Sequence, residues 1–282
     1  DRRQRQMCIR DSYFSFVYNI DNRDFRRKIM NNTIKQLFER KSVRVYQDKP
    51  IEAKEKQLIF NAAIQAPTAG NMTLYSIIDI QDQAIKEKLA KTCDNQPFIA
   101  KAPLVLIFVA DYQKWYDAFK YYHGEEQMRS PSYGDFLLAF SDTLIAAQNA
   151  VVAAESLGIG SCFIGDIIEQ YEVHRELLNL PQYTAPVGML VMGYPTEQQQ
   201  HRTKPARFDS KYVVSVDRYE KFDDEKLVKM FDDRAVLANR SSGGRSFVDD
   251  IYNRKWTDPF IEEMSRSSKL WIEQWGKEDE ES

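Results

Sequence analysis

The chain has 282 residues, 43% of them hydrophobic and 29% charged, with a formal net charge of -3. That length can bury a large core in one domain or two, and the charge balance argues against a nucleic-acid partner. The three cysteines, Cys8, Cys93 and Cys162, are odd in number and far apart, which argues against a disulfide framework and for a reducing, cytoplasmic compartment.

Residues 1–29 are Arg-rich and lack a helical or strand period. No apolar stretch follows the basic start, so they do not read as a secretory signal. They are expected to be an extraneous or disordered arm, dispensable for folding, with the natural start at Met30 and one domain over 30–282. Within that domain, Thr33 to Arg40 has helical spacing behind a polar cap. Pro50 opens a second helix that runs through Ala66. Leu74 to Ile80 reads as a half-buried strand, Gln83 to Thr92 as a charged helix and Pro103 to Asp111 as a fully buried strand. Runs such as Pro103 to Ala110 are too short to cross a bilayer, so no membrane association is expected. Asp135 to Leu157 is the longest helix, apolar on most sides and therefore central. Gly158 ends it as a left-handed cap.

Ser161 to Ile164 is a short strand, Glu169 to Leu178 a helix and Ala185 to Gly193 another buried strand. A polar, basic loop covers Pro195 to Ser210. The β-branched stretch Tyr212 to Val216 predicts a last strand, Asp223 to Leu237 a helix, and Arg240 to Ser246 a Gly/Ser/Arg loop. A final helix over Pro259 to Trp275 carries the apolar stripe Leu270, Trp271 and Trp275, suited to wrapping a partner. The pattern predicts one α+β domain with a C-terminal helical extension over about 218–282.

Two basic clusters stand apart from any regular solvated helix face: Arg40-Lys41-Ser42-Val43-Arg44 and Lys204-Pro205-Ala206-Arg207. Between them lies the small, polar turn Ala66-Pro67-Thr68-Ala69-Gly70-Asn71. Guanidinium forks, an ammonium, hydroxyls and backbone N–H groups are the parts that hold a phosphate. Each also has a plainer reading. Arg40, Lys41 and Arg44 can complement a helix dipole, Lys204 and Arg207 can be solvated loop charges, and Pro67 to Asn71 can be an ordinary turn. His123, His174 and His201 are isolated, so no metal site is expected.

Taken in order, four blocks resemble the FMN-dependent nitroreductase family: Arg40 to Arg44, Ala66 to Asn71, Gly158 to Gly165, and Gly193-Tyr194-Pro195 followed by Lys204 to Arg207. The chain is most similar to the subgroup of oxygen-insensitive, NADPH-preferring nitroreductases and flavin reductases with a C-terminal extension. The resemblance implies a central mixed, mainly antiparallel sheet flanked by helices. It also implies a homodimer with two FMN sites at the subunit interface.

By the same resemblance, Arg40, Ser42, Lys204 and Arg207 would hold the FMN phosphate, Lys41 would belong to the same cofactor-binding segment, and Arg44 would lie near the pyrimidine and ribityl chain. Gln96 would meet the pyrimidine edge. Pro67, Thr68, Ala69, Gly70 and Asn71 would reach the partner subunit's flavin, and Ile164 and Gly165 would form the turn facing N5. Arg240 and Arg245 would clamp the NADPH 2′-phosphate from a mobile loop; the plainer reading is two solvated charges. No protein group is expected to be catalytic beyond the flavin.

The chain departs from the family pattern at Ala206, which separates Pro205 from Arg207, and at Asp166, where the subgroup often has Gly. The resemblance implies an NAD(P)H oxidoreductase acting on nitroaromatics, quinones or free flavin by ping-pong hydride transfer. Dehalogenation, ene reduction, flavin fragmentation and non-catalytic flavin binding are the alternatives on the same fold.

Overall fold

A computed structural model describes residues 31–238 and 243–276. The chain forms two units that meet in sequence between Arg40 and Lys41. The expected N-terminal arm, Arg240 and residues 277–282 lie outside the described residues.

In the first unit, α1 (Asn32–Glu39) is capped by Asn31, whose side chain accepts from the Ile34 N–H at 3.0 Å. That bond satisfies one of the helix's orphan donors. Ile34, Leu37 and Phe38 follow the i, i+3, i+4 spacing of one helix face. Arg40 closes the unit, its N–H donating to the Gln36 carbonyl at 2.8 Å.

The second unit is built on a four-stranded antiparallel sheet. Its strands are β1 (Tyr75–Asp79), β2 (Leu104–Asp111), β3 (Gly160–Ile164) and β4 (Thr184–Gly193), in the order β1-β2-β4-β3. A parallel bridge joins Ser42 to Ser161 beside β3 and accounts for the mixed character expected of the sheet. β2 and β4 are buried along their whole length. Their side chains alternate, as the period of two requires. Leu104, Leu106, Phe108, Leu190 and Met192 face one core, with Ile59, Ala63 and Val151. Val105, Ile107, Val109, Met189 and Val191 face the other, with Leu89, Tyr183, Trp271 and Trp275. Both faces are covered, so truncating a central residue such as Leu106 to Ala is expected to cost ~2–5 kcal/mol.

The helices that cover these faces begin with α2 (Ala53–Ile64), which starts behind a reciprocal capping box between Glu52 and Glu55. Next come α3 (Gln83–Thr92), capped by Asp82, and two helices the sequence patterns did not predict, α4 (Pro97–Lys101) and α5 (Gln113–His123). The central helix α6 (Tyr133–Ser156) has a second capping box, between Ser132 and Asp135, and Gly158 beyond its end has φ of 74°. By length and mean hydropathy (1.5 over its most apolar 18 residues) α6 could cross a membrane. Ten of its residues, including Ala146, Ala147, Ala150 and Ala154, are buried within the subunit, the mark of a core helix. It is followed by α7 (Tyr171–Leu177), the unpredicted α8 (Glu197–His201), α9 (Asp224–Leu237), α10 (Gly243–Ile251) and α11 (Phe260–Glu273).

Three expectations are corrected here. Tyr212 to Val216 is not a strand. Asp209 caps a 3₁₀ turn over Ser210–Tyr212, and the N–H groups of Val213 and Val214 fold back on the Ser210 carbonyl at 2.9 and 2.8 Å. Those donors are no longer available to a ladder, which overrides the β propensity of the valines.

The aromatic stripe of α11 does not reach for a partner. Trp271 and Trp275 are buried in their own subunit's core, Trp271 donating to the Ile168 carbonyl at 2.8 Å. Trp275 sits edge-on to Tyr112, Phe136 and Tyr183.

The segment expected as a loop through Ser246 is helical from Gly243. A Cβ on Gly244 would lie 2.5 Å from the Phe231 backbone, and its N–H donates to Asp232 at 2.9 Å. Glycine is therefore required by the close crossing of α10 over α9, rather than by a need for slack.

Candidate functional site

The site begins where the Ser42–Tyr46 segment lies against the ends of β3 and β4. Two opposed glycines allow it. Gly160 pairs with Gly193 across the two strands. A Cβ on Gly160 would meet Val43 at 2.5 Å, and one on Gly193 would meet the Tyr46 ring at 2.6 Å. The Val43 N–H donates to the Ser161 carbonyl at 2.9 Å, and the Tyr46 hydroxyl donates to the Val43 carbonyl at 2.9 Å. Burial pushes the Tyr46 phenol far above its ordinary range, with Cys162 adding to the rise, so it serves as a neutral strut. The Ser161 hydroxyl is buried beside this bridge and makes no hydrogen bond.

The loop around α8, which leads into the second basic cluster, is tied to the Lys41–Arg44 segment. Lys41 donates to the carbonyls of Gln200 and Arg202 at 2.5 and 2.6 Å. Arg202 donates to the Ser42 carbonyl, and the side-chain oxygen of buried Gln199 accepts the Arg44 N–H at 3.4 Å. These ties bring the start of the loop against Ser42, two residues before half-buried Lys204 and five before exposed Arg207. Lys41 has spent two of its three protons on the loop, so its contacts tie the loop down. Arg40 belongs to the first unit. Sequence reasoning missed Gln199, Gln200 and Arg202, because a polar run gives no period from which a contact can be read.

At the other end of β3 a second cluster forms. Ile164 ends the strand, buried and paired with Met189. Gly165 leads into a 3₁₀ turn over Asp166–Ile168. Gln96 reaches this turn: its Nε2 donates to the Asp166 carboxylate at 2.5 Å and to the Cys93 carbonyl at 3.0 Å. Arg44 lies over the Phe98 ring, 5.8 Å from its centre, so the Arg44 segment also approaches the start of α4. Arg44 and Phe98 line an open cavity of about 740 Å³ together with Tyr46, Lys49 and Lys101.

The turn Pro67 to Asn71 is a structured element in its own right. Thr68 donates to Asp142 on α6, the Ala69 N–H donates to the same carboxylate at 2.9 Å, and the Thr73 N–H donates to the Thr68 hydroxyl at 2.8 Å. Gly70, Asn71 and Thr73 have φ of 56°, 60° and 54°, a costly conformation for the β-branched Thr73. Pro67, Gly70 and Asn71 are exposed. Asp142 was missed in the sequence, although a lone acid inside an apolar helix was the available signal.

Of the expected NADPH clamp, Arg245 is described. It lies on α10, almost fully exposed, paired with Asp249 at 3.8 Å. Arg240 lies outside the described residues. Among the described residues, no group of three or more His, Cys, Asp or Glu is placed to hold a metal ion.

The sequence profile of the Nitroreductase family matches residues 37–194, more than half of the chain. This chain belongs to the nitroreductase family. It is 31% identical over 243 residues to the oxygen-insensitive NADPH nitroreductase of Salmonella typhimurium, covering 86% of this chain and 95% of that protein. It is 32% identical over 175 residues to a Bacillus subtilis FMN reductase [NAD(P)H], covering 62% and 70%. The solved structure of B. megaterium NfrA2 superposes with a TM-score of 0.70 at 28% identity, over 85% of this chain and 98% of that one. NADPH:FMN oxidoreductase from Vibrio harveyi, solved in complex with NAD+, shares the fold at a TM-score of 0.70 and 24% identity, over 84% and 98%. The α+β sheet with flanking helices is thus the nitroreductase fold.

Proposed function

We propose that this chain is an FMN-dependent NAD(P)H oxidoreductase that reduces planar acceptors such as nitroaromatics, quinones and free flavin. The observation that carries the reading is the arrangement along β3. Ser42, Lys41 and the basic loop meet at its start, and Gln96 meets the Gly165–Asp166 turn at its end. The strand is five residues long, a rise of roughly 13 Å from first to last residue. That separation is comparable to the reach of FMN from its phosphate to its ring. The donor set fits the group: cations and an unpartnered buried hydroxyl at one end, an amide and a backbone turn at the other.

Bound FMN would supply the hydride chemistry, taking reducing equivalents from NAD(P)H and passing them to the acceptor. Lys204, Arg207 and Ser42 would hold its phosphate. Arg44 supplies positive charge beside the start of α4, suited to an electron-rich ring. Gln96 orients the ring edge, and the turn at Ile164 and Gly165 presents backbone rather than a bulky side chain. Because no acid–base group of the chain is needed, stacking geometry sets the choice of acceptor, and one surface serves donor and acceptor in turn.

The active form is a homodimer, in which the exposed Pro67 to Asn71 turn reaches the partner's cofactor. Support comes from α6, where Leu137, Leu138, Leu144 and Ile145 are exposed although the helix buries ten other residues in the core. NADPH is the favoured donor, with Arg240 and Arg245 as the residues toward its 2′-phosphate, and the protein works in the cytoplasm. The deciding experiment is the absorbance spectrum of the purified protein, followed by NADPH and NADH oxidation with menadione. A flavin spectrum and steady turnover are expected; flavin without turnover leaves a binding protein, and no flavin refutes the reading.

A further inference from the structure

Gln96 is held from every side. Its N–H donates to the Ala90 carbonyl at 2.8 Å. It follows Asp94 and Asn95, two consecutive residues with φ of 59° and 48°. It precedes Pro97, which fixes the first turn of α4. The side-chain amide is equally constrained. A backbone carbonyl has no proton to give, so the Cys93 carbonyl at 3.0 Å must face the NH₂ end of the amide. The second proton of that NH₂ goes to Asp166 at 2.5 Å. Both donors are spent inside the protein, and Oε1, an acceptor only, is the end left for a ligand.

Asp166 is itself fixed. It opens the 3₁₀ turn after Gly165, and its carbonyl accepts the Glu169 N–H at 3.1 Å. With Asp166 absent, one amide proton would lack a partner, and the Cys93 carbonyl alone would hold the amide against rotation.

We propose that Asp166 is a positioning residue that locks the Gln96 amide with Oε1 outward, so that the site selects a ring carrying an imide N–H. The inference rests on the FMN reading above, and the selected group is the N3–H of the flavin pyrimidine. A glycine at this position would leave the amide held by the Cys93 carbonyl alone. In this chain two bonds, rather than one, fix its hydrogen-bonding polarity.

The test compares two probes, FMN and N3-methyl-FMN, titrated by fluorescence into apoprotein of the full chain. The variants are Asp166→Ala, Asp166→Asn and Gln96→Ala. The wild type should bind FMN roughly tenfold more tightly than the N3-methyl probe, the worth of one buried hydrogen bond. Asp166→Ala should shrink that preference to within about threefold while still binding FMN, because the lost bond is in orientation rather than in the phosphate contacts. Asp166→Asn, whose amide oxygen still accepts from Gln96, should restore it. Gln96→Ala should abolish it. Recovery in the Asn variant separates positioning from a merely structural effect. A wild type that binds FMN without preference overturns the lock, as does an Asp166→Ala protein that keeps the full preference. A wild type that binds neither probe overturns the FMN reading and the lock with it.

Discussion

The Pro67 to Asn71 turn depends on one carboxylate, and Asp142→Ala is the perturbation that exposes this. Asp142 is 3% exposed and accepts from the Thr68 hydroxyl and the Ala69 N–H. A third contact, from the Leu74 N–H at 3.4 Å, is long and adds little. Hydrogen bonds to a charged group contribute ~1.5–3 kcal/mol each, and a stranded buried donor keeps its desolvation cost. Two such bonds set the loss at ~3–6 kcal/mol for Asp142→Ala, or about 6–24 °C in Tm for a domain of this size. Asp142→Asn keeps one acceptor for the Ala69 N–H, so it should lose only ~1–2 kcal/mol. The loss should be concentrated in this turn, because the carboxylate also holds Gly70, Asn71 and Thr73 in the left-handed region. Urea denaturation followed by circular dichroism measures the stability, and proteolysis at Gly70 reads the local loosening. A loss below about 1 kcal/mol for Asp142→Ala would show that the turn holds itself, and would refute the reasoning.

Lys204→Ala should weaken FMN binding roughly ten- to hundredfold in a fluorescence titration, by removing one charge-assisted contact; unchanged affinity would place the phosphate elsewhere. Sedimentation equilibrium should give a dimer, and Leu138→Asp with Ile145→Asp should split it with loss of bound flavin; a monomer that keeps FMN and turns over contradicts the interface. Glu169 should make stability fall as pH rises. Its carboxyl is pushed up to about 7, first by burial and then by Asp166, Asp94 and Glu263, with Lys255 opposing. The folded state therefore binds more protons than the unfolded chain between about pH 4.5 and 7, and this contribution is lost through that window. Glu169→Gln should flatten the slope and gain on the order of 1–3 kcal/mol above pH 7; a pH–stability curve identical to the wild type would rule out Glu169 as its source.

The elements legible in the sequence were those with a strong internal period. β2 and β4 are unbroken apolar runs, and both are buried strands. The central helix was read within two residues at its start, and Gly158 has the left-handed conformation expected of it. Failures occurred where tertiary hydrogen bonds decide. Val213 and Val214 carry strand propensity, yet a capping aspartate four residues before Val213 turns their donors inward. Gly243 and Gly244 read as slack, but the contact with α9 requires the small size of Gly244. Trp271 and Trp275 form an apolar stripe whether they bury in their own core or in another subunit. Periodicity reports that a face is apolar, and it does not say whose core the face completes.

The same distinction runs through the site. The basic clusters were visible as chemistry, because cations grouped off a regular helix face are informative by composition alone. What ties the first cluster to the loop that carries the second was not visible: the carbonyls of Gln200 and Arg202, the side chain of Gln199, and the two glycines that let residues 42–46 lie on the strand ends. Backbone acceptors belong to every residue, so no sequence pattern marks them. Asp166 is the opposite case. It drew attention as a departure from a family pattern, and its meaning came from one contact with Gln96 across 70 residues of sequence. A substitution that looks like added charge thus acts through the direction of a neighbouring amide. Replacing Asp166 with Asn removes the charge and keeps the direction, which makes the two effects separable in one protein.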